Sequence, residues 1–360
     1  MFTLETILRP HILSLTPYSS ARDEYTGKEG IFLDANENAL GSTTSTNYNR
    51  YPDPYQWAIK ERLAPLKGVR PEQIFLGNGS DEPIDLLIRA TCTPEKDSVL
   101  IMPPTYGMYE VSANINNVPL IKVPLTPDFQ IDLPEVLAAI QPDTKLLFVC
   151  SPNNPTGNLI DRQSMLTLLE KFTGLVVVDE AYIDFADAGS MTALLDRYSN
   201  LVVLQTFSKA WGLAALRLGM CFASAALIRV LNKIKPPYNI SAPTQELALE
   251  ALSHVTQKEE MVAKLLAERA ILTEHLRSLP LVQQVYPSDA NFLLVRFDRP
   301  GGPDAKTVFD YLISRQVIVR DRSKVKLCEG CLRITVGTPH ENSQLLDVLH
   351  QMMVPVQSYS

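Results

Sequence analysis

Short apolar runs recur through the first two thirds of the chain, and most are too short to form helices. They are rich in valine, leucine and isoleucine and lack the alternation of a half-exposed strand, as is typical of strands buried on both faces of a parallel sheet. Segments with helical spacing lie between some of them. The pattern predicts an α/β layer with a mostly parallel central sheet flanked by helices. The runs cover residues 98–102, 145–150, 174–178, 201–205 and 216–223.

The pattern changes after residue 243. Residues 244–278 are predicted to form one long helix that links two domains, and strands at 291–297, 317–320 and 332–336 accompany a helix near 304–315. Such a mixture is typical of a smaller α+β domain, and 360 residues exceed what one core usually absorbs. We predict a large domain over 49–255, and a small domain formed by 256–360 and by 1–48 with its N-terminal arm. The first 45 or so residues are expected to be irregular.

Composition adds mainly exclusions. The formal net charge of −7, without a polybasic block, disfavours nucleic acid and anionic membranes as partners. No apolar run reaches the roughly 20 residues that span a bilayer, and the N-terminus lacks a signal-peptide pattern, so a cytoplasmic protein is expected. Cys328 and Cys331 form a CxxC without a second pair or clustered histidines, so we expect two packed thiols and no metal.

Polar residues that could take part in binding or catalysis follow several of the buried strands. Asn154 comes after the run at 145–150, Asp179 and Tyr182 after the next run, and Lys209 after the one at 201–205, with Arg217 eight positions on. The ends of parallel strands meet at one edge of a sheet, where sites form. Each residue alone could be a cap, a turn or a surface residue, but together they indicate one site.

This set meets the needs of pyridoxal phosphate. A deprotonated lysine amine can form an imine with the cofactor, which suits Lys209. A carboxylate must keep the pyridine nitrogen protonated so that the ring accepts electrons, and Asp179 fits that position. Asn154 and Tyr182 can donate hydrogen bonds to the 3′-oxygen.

A phosphate cradle is indicated by Gly77-Asn78-Gly79-Ser80-Asp81-Glu82-Pro83, which opens a helix. Glycines allow close approach of the backbone, Ser80 or Asp81 can cap, and proline suits a first helical turn. The positive end of the helix favours an anion. The spacing is not that of a P-loop, and Gly-rich turns of this kind are also common without a ligand.

The motifs that carry these residues make the chain resemble the fold-type I pyridoxal-phosphate-dependent aminotransferases of class I and II over nearly its whole length. SPNNPTG (151–157), DEAY (179–182) and the stretch from SKA to RLG (208–219) are shared across that family. TPYSSAR (16–22), NRYP (49–52), PPTYGMY (103–109) and GCLRITVGT (330–338) are similar to its histidinol-phosphate branch.

The resemblance implies a homodimer with shared active sites in histidine biosynthesis. Its substrates would be glutamate/2-oxoglutarate and imidazole acetol phosphate/histidinol phosphate. Lys209, Asp179 and Tyr182 would be catalytic, and Arg333 would bind the substrate anion with help from Arg320, Tyr18 and Asn36. The implied cofactor-binding residues are Ser80, Asp81, Tyr106 stacked on the ring, Asn154, Asp179, Tyr182, Thr206, Ser208, Lys209, Arg217 and, from the neighbouring subunit, Tyr51.

Alternatives remain open at this point. One alternative is an aromatic amino-acid aminotransferase, whose substrates also combine a flat ring with an anion. Another is a phosphothreonine-type decarboxylase, which resembles this branch too. A transcription regulator that uses the same fold would need a DNA-binding domain, for which the chain has no spare length or basic helix. Residues 18–30 could close over the site as a lid or be a mobile arm.

Overall fold

The computed structural model describes residues 2–17 and 30–353. The predicted substrate residue Tyr18 and the proposed lid up to residue 29 therefore lie outside the described residues. Within them, the chain forms two β-sheets with helices packed around them. No helix in this described part is both long and apolar enough to cross a membrane.

The larger sheet has seven strands in the order β1-β7-β6-β5-β4-β2-β3. Neighbouring strands from β3 through β2, β4 and β5 to β6 are parallel, whereas β7 runs antiparallel to both β6 and β1. The prediction of a mostly parallel central sheet is confirmed. The strands are β1 (Ile74–Asn78), β2 (Ser98–Ile101), β3 (Leu120–Lys122), β4 (Thr144–Cys150), β5 (Leu175–Asp179), β6 (Leu201–Thr206) and β7 (Leu218–Phe222).

Alternate residues of one strand enter two different cores, which explains the continuous apolar runs. In β4, Leu147 and Val149 belong to the core on one face of the sheet, and Leu146 and Phe148 to the core on the other. All four are at most 1% exposed. Full burial of such a side chain is worth about 1.5–3 kcal/mol, so both faces of this strand hold it in place.

The smaller sheet is antiparallel, in the order β10-β11-β9-β8, and has its own hydrophobic core. Its strands are β8 (Gln284–Val285), β9 (Phe292–Arg296), β10 (Arg320–Asp321) and β11 (Cys331–Thr335). Two sheets with separate cores agree with two folding units. The predicted bounds of 49–255 for one domain, and of 1–48 with 256–360 for the other, stay a prediction.

Twelve α-helices occur in the described residues. They are α1 (Leu4–Ile7), α2 (Pro10–Ser14), α3 (Trp57–Lys67), α4 (Asp81–Thr91), α5 (Met108–Ile115), α6 (Leu133–Ala139), α7 (Arg162–Lys171), α8 (Ala225–Ile234), α9 (Ala242–Leu252), α10 (Val255–Ser278), α11 (Ala305–Ser314) and α12 (Pro339–Met353). The expectation of an irregular N-terminus was wrong for α1 and α2. There, Arg9 donates its backbone N–H to the carbonyl of Ala90 at 2.9 Å and so ties the segment to the end of α4.

Two further sequence predictions need correction. The helix predicted over 244–278 is two helices, because the N–H groups of Ser253 and His254 bond carbonyls three residues back and tighten the last turn of α9. The strand predicted over 317–320 begins only at Arg320. Gln316 has φ +61°, and the N–H of Val317 returns to the carbonyl of Leu312, so this stretch closes the end of α11 instead.

Candidate active site

A cleft with a cavity volume of about 90 Å³ opens where β4, β5 and β6 end, the edge of a parallel sheet at which ligands bind. We call it the cofactor cleft. It brings together all the cofactor residues predicted from the sequence except Tyr51. Its lining comprises Ser80, Asp81, Tyr106, Cys150, Asn154, Asp179, Ala181, Tyr182, Thr206, Ser208, Lys209 and Arg217.

Asp179, the last residue of β5, is the buried carboxylate of the cleft and is 2% exposed. One of its oxygens accepts the N–H of Ala181 at 3.1 Å, and the other accepts the hydroxyl of Tyr109 at 2.7 Å. Burial raises the pKa of Asp179 to about 6, although both hydrogen bonds act to lower it. The group is therefore ionised above about pH 6 and can hold a positively charged partner such as a pyridinium nitrogen.

Lys209 lies beyond the end of β6, and its Nζ is 5.5 Å from the ring centroid of Tyr182. The pKa of Lys209 is lowered, first by burial and then by the positive charges of Arg333 and Arg217. The side chain nevertheless keeps contact with solvent. A lysine with a lowered pKa is more often the neutral amine, the form that can act as nucleophile or base.

Asn154 and Tyr182 are each 7% exposed and come from the loops that follow β4 and β5. The ring of Tyr182 packs edge-on against Phe292 at 5.1 Å. The side-chain oxygen of Asn154 accepts a hydrogen bond from Nη1 of Arg333, a residue of β11. The predicted substrate arginine is thus joined directly to a residue of the cofactor cleft.

The turn between β1 and α4 forms a backbone cradle with β7. A Cβ on Gly219 would lie 2.2 Å from the carbonyl carbon of Gly79 and 2.3 Å from the nitrogen of Ser80, so only glycine fits there. Gly79 itself has φ +69°, a conformation that glycine adopts without strain. The side chain of Ser80 makes no capping bond to α4, so its hydroxyl is not used to close the helix. The first N–H groups of α4 can therefore meet an anion.

Arg217 supplies the cation next to this cradle. It has φ +50° and is the last residue before β7, and its guanidinium lies next to the turn at Gly79. Its Nη1 lies 3.4 Å from the hydroxyl of Ser208, and its Nη2 lies 3.6 Å from a carboxylate oxygen of Asp81. Thr206 accepts the N–H of Ser208 at 3.0 Å and so fixes the loop after β6.

Tyr106 stands at the open side of the cleft, partly buried. Its hydroxyl donates to Asp81 at 3.0 Å, and its ring meets that of Tyr109 edge-on at 5.6 Å. Burial, followed by the charge of Asp81, raises its pKa, so the phenol stays neutral. A neutral ring in this place suits stacking on a flat cofactor.

The residues present fit pyridoxal phosphate. The cleft offers an amine, a buried carboxylate, two donors for a phenolic oxygen and a glycine cradle with an adjacent arginine. That cradle would be filled by any Cβ at Gly219, and its donors are the backbone amides and hydroxyls that a phosphate group takes. The roles of the individual residues stay predictions.

Three arginines lie beside the cleft, two in strands of the smaller sheet and one directly after β10, and we call them the arginine edge: Arg320, Arg333 and Arg322. Arg320 pairs directly opposite Arg333 between β10 and β11, and the N–H of Arg322 bonds the carbonyl of Cys331. Arg320 is exposed, whereas burial lowers the pKa of Arg322 and of Arg333. The Nε of Arg322 is buried without a hydrogen-bond partner among the described residues.

Tyr51 and Asn36 line a second cleft, together with Tyr238. The ring of Tyr51 is stacked on that of Tyr238 with centroids 4.4 Å apart, and 49% of Tyr51 is exposed. Asn36 has φ +54° and is exposed. Their predicted roles, in a neighbouring subunit's site and in substrate binding, stay predictions.

Sequence reasoning missed three residues that bear on the site. Cys150 lines the cofactor cleft and pairs with Asp179 between parallel strands, which the matching ends of the two apolar runs could have indicated. Tyr109 lies three residues after Tyr106 in the same motif, and its N–H bonds the carbonyl of Tyr106. Burial raises the pKa of Tyr182, and the positive charge of Arg322 opposes that rise. Arg322 sits two residues after Arg320, at the spacing that puts extended residues on one face.

The two cysteines of the CxxC are free and buried. Burial raises the pKa of the Cys328 thiol to about 12, so it is not a reactive thiolate. Among the described residues no group of three or more histidine, cysteine, aspartate or glutamate side chains could hold a metal.

Comparison with known proteins gives a consistent result. Residues 24–349 match the family model of the aminotransferases of class I and II. The chain is 62% identical to a histidinol-phosphate aminotransferase of Cytophaga hutchinsonii, over 97% of this chain and 99% of that one. It is 51% identical to that of Parabacteroides distasonis, over 98% and 99%. Its fold is similar to that of the Sinorhizobium meliloti enzyme crystallised with pyridoxal 5′-phosphate, with TM-score 0.77, 24% identity and coverage of 88% and 90%.

Proposed function

The chain belongs to the aminotransferases of class I and II, and from this we propose that it is a pyridoxal-phosphate-dependent histidinol-phosphate aminotransferase. It would transfer the amino group of glutamate to imidazole acetol phosphate, giving 2-oxoglutarate and histidinol phosphate, a step of histidine biosynthesis. The near full-length likeness to relatives of that name supports the substrate. The observation that carries the chemistry is the meeting of Lys209 and Asp179 in one cleft.

Pyridoxal phosphate, when bound, supplies an electron-poor ring that stabilises the negative charge left on a substrate carbon after it loses a proton. We propose that Lys209 would hold the cofactor covalently and, once displaced by the substrate, would take the proton from the substrate Cα and deliver it to the C4′ carbon of the cofactor. Its lowered pKa favours the neutral amine that this role needs.

Asp179 would keep a proton on the ring nitrogen. Its two hydrogen bonds, from Ala181 and Tyr109, fix the rotation of the carboxylate before any cofactor arrives. Asn154 and Tyr182 would donate hydrogen bonds to the 3′-oxygen of the ring. Such preorganised groups need no rearrangement during the reaction, which is the usual source of electrostatic catalysis.

The phosphate of the cofactor would be held by the cradle around Ser80 and Asp81 together with Thr206, Ser208 and Arg217. Substrate anions would bind at the arginine edge, with Arg333 as the shared anchor because its fork pairs with either a carboxylate or a phosphate. Arg320, Asn36 and Tyr18 would assist.

The test is a pair of half-reactions followed by the absorbance of the bound cofactor. Glutamate should convert the spectrum to that of the aminated cofactor, and imidazole acetol phosphate should restore the original spectrum much faster than phenylpyruvate does. An equal or faster return with phenylpyruvate would identify an aromatic aminotransferase. Release of carbon dioxide from threonine phosphate would identify a phosphothreonine-type decarboxylase.

We also propose a cytoplasmic homodimer in which Tyr51 completes the partner subunit's site. Its ring is half exposed in this chain, and Ile31, Leu33 and Leu40 nearby are 92%, 85% and 97% exposed, an apolar surface that a second copy would cover. Mixing a Lys209→Ala subunit with a Tyr51→Phe subunit tests this, since one site of the mixed dimer then keeps both residues. The activity of the mixture should rise above that of either variant alone. An activity equal to the sum of the two separate variants would contradict shared sites.

A further inference from the structure

Tyr109 is buried beside the cofactor cleft, does not line it, and is not among the residues that the sequence predicted for the site. It belongs to α5, is 0% exposed, and its ring is stacked on Phe148 of β4 with centroids 4.6 Å apart and 12° between the planes. A fully buried tyrosine keeps its polar hydroxyl only where it has a partner. Here the hydroxyl donates to Oδ2 of Asp179 at 2.7 Å, a short bond to a buried carboxylate.

The surroundings make this hydroxyl a donor and not a base. Burial raises the pKa of Tyr109, and the negative charge of Asp179 raises it further, so the phenol stays protonated throughout the working range of the protein. The stack on Phe148 fixes the ring, and the edge-on contact with Tyr106 fixes its other side. The ring is therefore held in place, with its hydroxyl bonded to Asp179 and close to the Cys150 thiol.

Asp179 has few other groups to balance its charge. The titratable groups that face it are Tyr109 and Cys150 beneath the cleft, Asp81, Tyr106 and Tyr182 around it, and Lys209. Lys209 favours the ionised carboxylate and Asp81 opposes it, each less strongly than the hydrogen bond from Tyr109. The bond from Tyr109 is thus the strongest effect that opposes burial at this carboxylate.

We propose that Tyr109 is a positioning residue for Asp179: its buried hydroxyl aims the carboxylate at the cofactor's ring nitrogen and keeps it ionised. The idea rests on the proposed function, because it assumes that Asp179 serves that nitrogen. Without the hydroxyl, the proton shared between Asp179 and the ring nitrogen moves towards Asp179. The ring is then a weaker acceptor of electrons, while substrate binding at the arginine edge is untouched.

The test uses Tyr109→Phe, which keeps the stack on Phe148 and removes only the hydroxyl. In the cofactor-free protein, the carboxyl band of protonated Asp179 in infrared difference spectra, assigned with Asp179→Asn, gives its titration midpoint. We expect that midpoint to rise and the proton affinity of Asp179 to increase about tenfold. In the loaded protein, the ¹⁵N shift of labelled pyridoxal phosphate should move towards that of the neutral ring, and kcat should fall about tenfold at unchanged KM for glutamate.

Tyr198→Phe is the matched control. Tyr198 is 9% exposed and donates its hydroxyl to Glu170 at 3.1 Å, a tyrosine–carboxylate bond away from the cleft. It should leave the midpoint, the ¹⁵N shift and kcat unchanged. An unchanged Asp179 midpoint in Tyr109→Phe, with melting as cooperative as in the parent, would overturn the proposal. If the parent protein fails to bind pyridoxal phosphate, the proposed function fails, while the titration without cofactor still decides whether Tyr109 controls Asp179.

Discussion

The cofactor cleft and the arginine edge differ in how firmly the fold holds them. Asp179, Asn154 and Tyr182 are at most 7% exposed and follow strands that are packed on both faces. The arginine edge lies partly on β10, a two-residue edge strand, and Arg320 is exposed. Groups that must act on the same atoms at every turnover are fixed by two cores. Groups that, under the proposed function, would receive a carboxylate and then a phosphate include an exposed side chain, Arg320, that can readjust.

The largest effect on activity is expected from loss of Lys209 in the cofactor cleft. Lys209→Ala should lower kcat at least about 1,000-fold, because no other lysine among the described residues lines the cleft to move the proton. Lys171→Ala, at the exposed end of α7, is the control and should retain full activity. Stopped-flow absorbance with glutamate measures both. Conversion by Lys209→Ala at more than a few per cent of the parent rate would contradict its role.

Asp179→Asn should reduce kcat about 100-fold and also change how stability depends on pH. Burial raises the pKa of Asp179 from 3.8 to about 6, so the native state of the cofactor-free protein binds this proton more tightly than the unfolded chain does. That contribution is fully present below pH 4 and is lost as the pH rises through 6. It amounts to roughly 3 kcal/mol.

Denaturant unfolding of the two cofactor-free proteins between pH 4 and 8 measures this effect. The free energy of unfolding of the parent, minus that of Asp179→Asn, should fall as the pH rises through this window. A difference that does not change with pH would mean that Asp179 is not strained by its burial, and the contrast between the two regions would lose its basis.

Arg333 and Arg320 sharpen the comparison within the arginine edge. Arg333→Ala should raise KM for glutamate and for imidazole acetol phosphate, each roughly 30- to 100-fold, because a partly buried guanidinium bonded to Asn154 is lost. Arg320→Ala removes an exposed group and should raise each KM only about two- to fivefold. Steady-state kinetics of both half-reactions will distinguish them. A loss in only one half-reaction of Arg333→Ala would exclude the shared anchor.

The smallest expected effect concerns Arg322, whose buried Nε lacks a partner among the described residues. A phosphate carries more charge than a carboxylate and can engage a third arginine. Arg322→Ala should therefore raise KM for imidazole acetol phosphate about fivefold and leave that for glutamate nearly unchanged. Arg315→Ala, at the exposed end of α11, is the matched control. Equal changes for both substrates would place Arg322 outside phosphate recognition.

The sequence predicted the firm region well because its signals are local and physical. The apolar runs at β2, β4, β5, β6 and β7 are buried on both faces, so the polar residues that follow them had to meet at one edge. β3 and β8, by contrast, escaped notice because they are short, with three and two residues. β1 was hidden by its glycine and by the turn that follows it.

What the sequence could not give depends on contacts between distant elements. The bond between Tyr109 and Asp179 joins residues 70 positions apart, and the one between Arg333 and Asn154 joins residues 179 positions apart. The break at Ser253 has no proline or glycine to mark it. The late start of β10 depends on Gln316 taking a left-handed conformation, which is uncommon for a residue other than glycine and has no clear signal in the sequence.

The place of β1 in the large sheet has a consequence for how the chain is made. β1 is an edge strand whose one neighbour among the described strands is β7, so this pairing cannot form until the ribosome has added everything between Asn78 and Leu218. During that time the strands from β2 to β6 can already be joined, while the apolar β1 is left with unpaired backbone groups. An open edge of this kind invites pairing with other chains. The phosphate cradle begins on that strand, so a newly made chain cannot take up its cofactor before the last strand of the sheet has emerged.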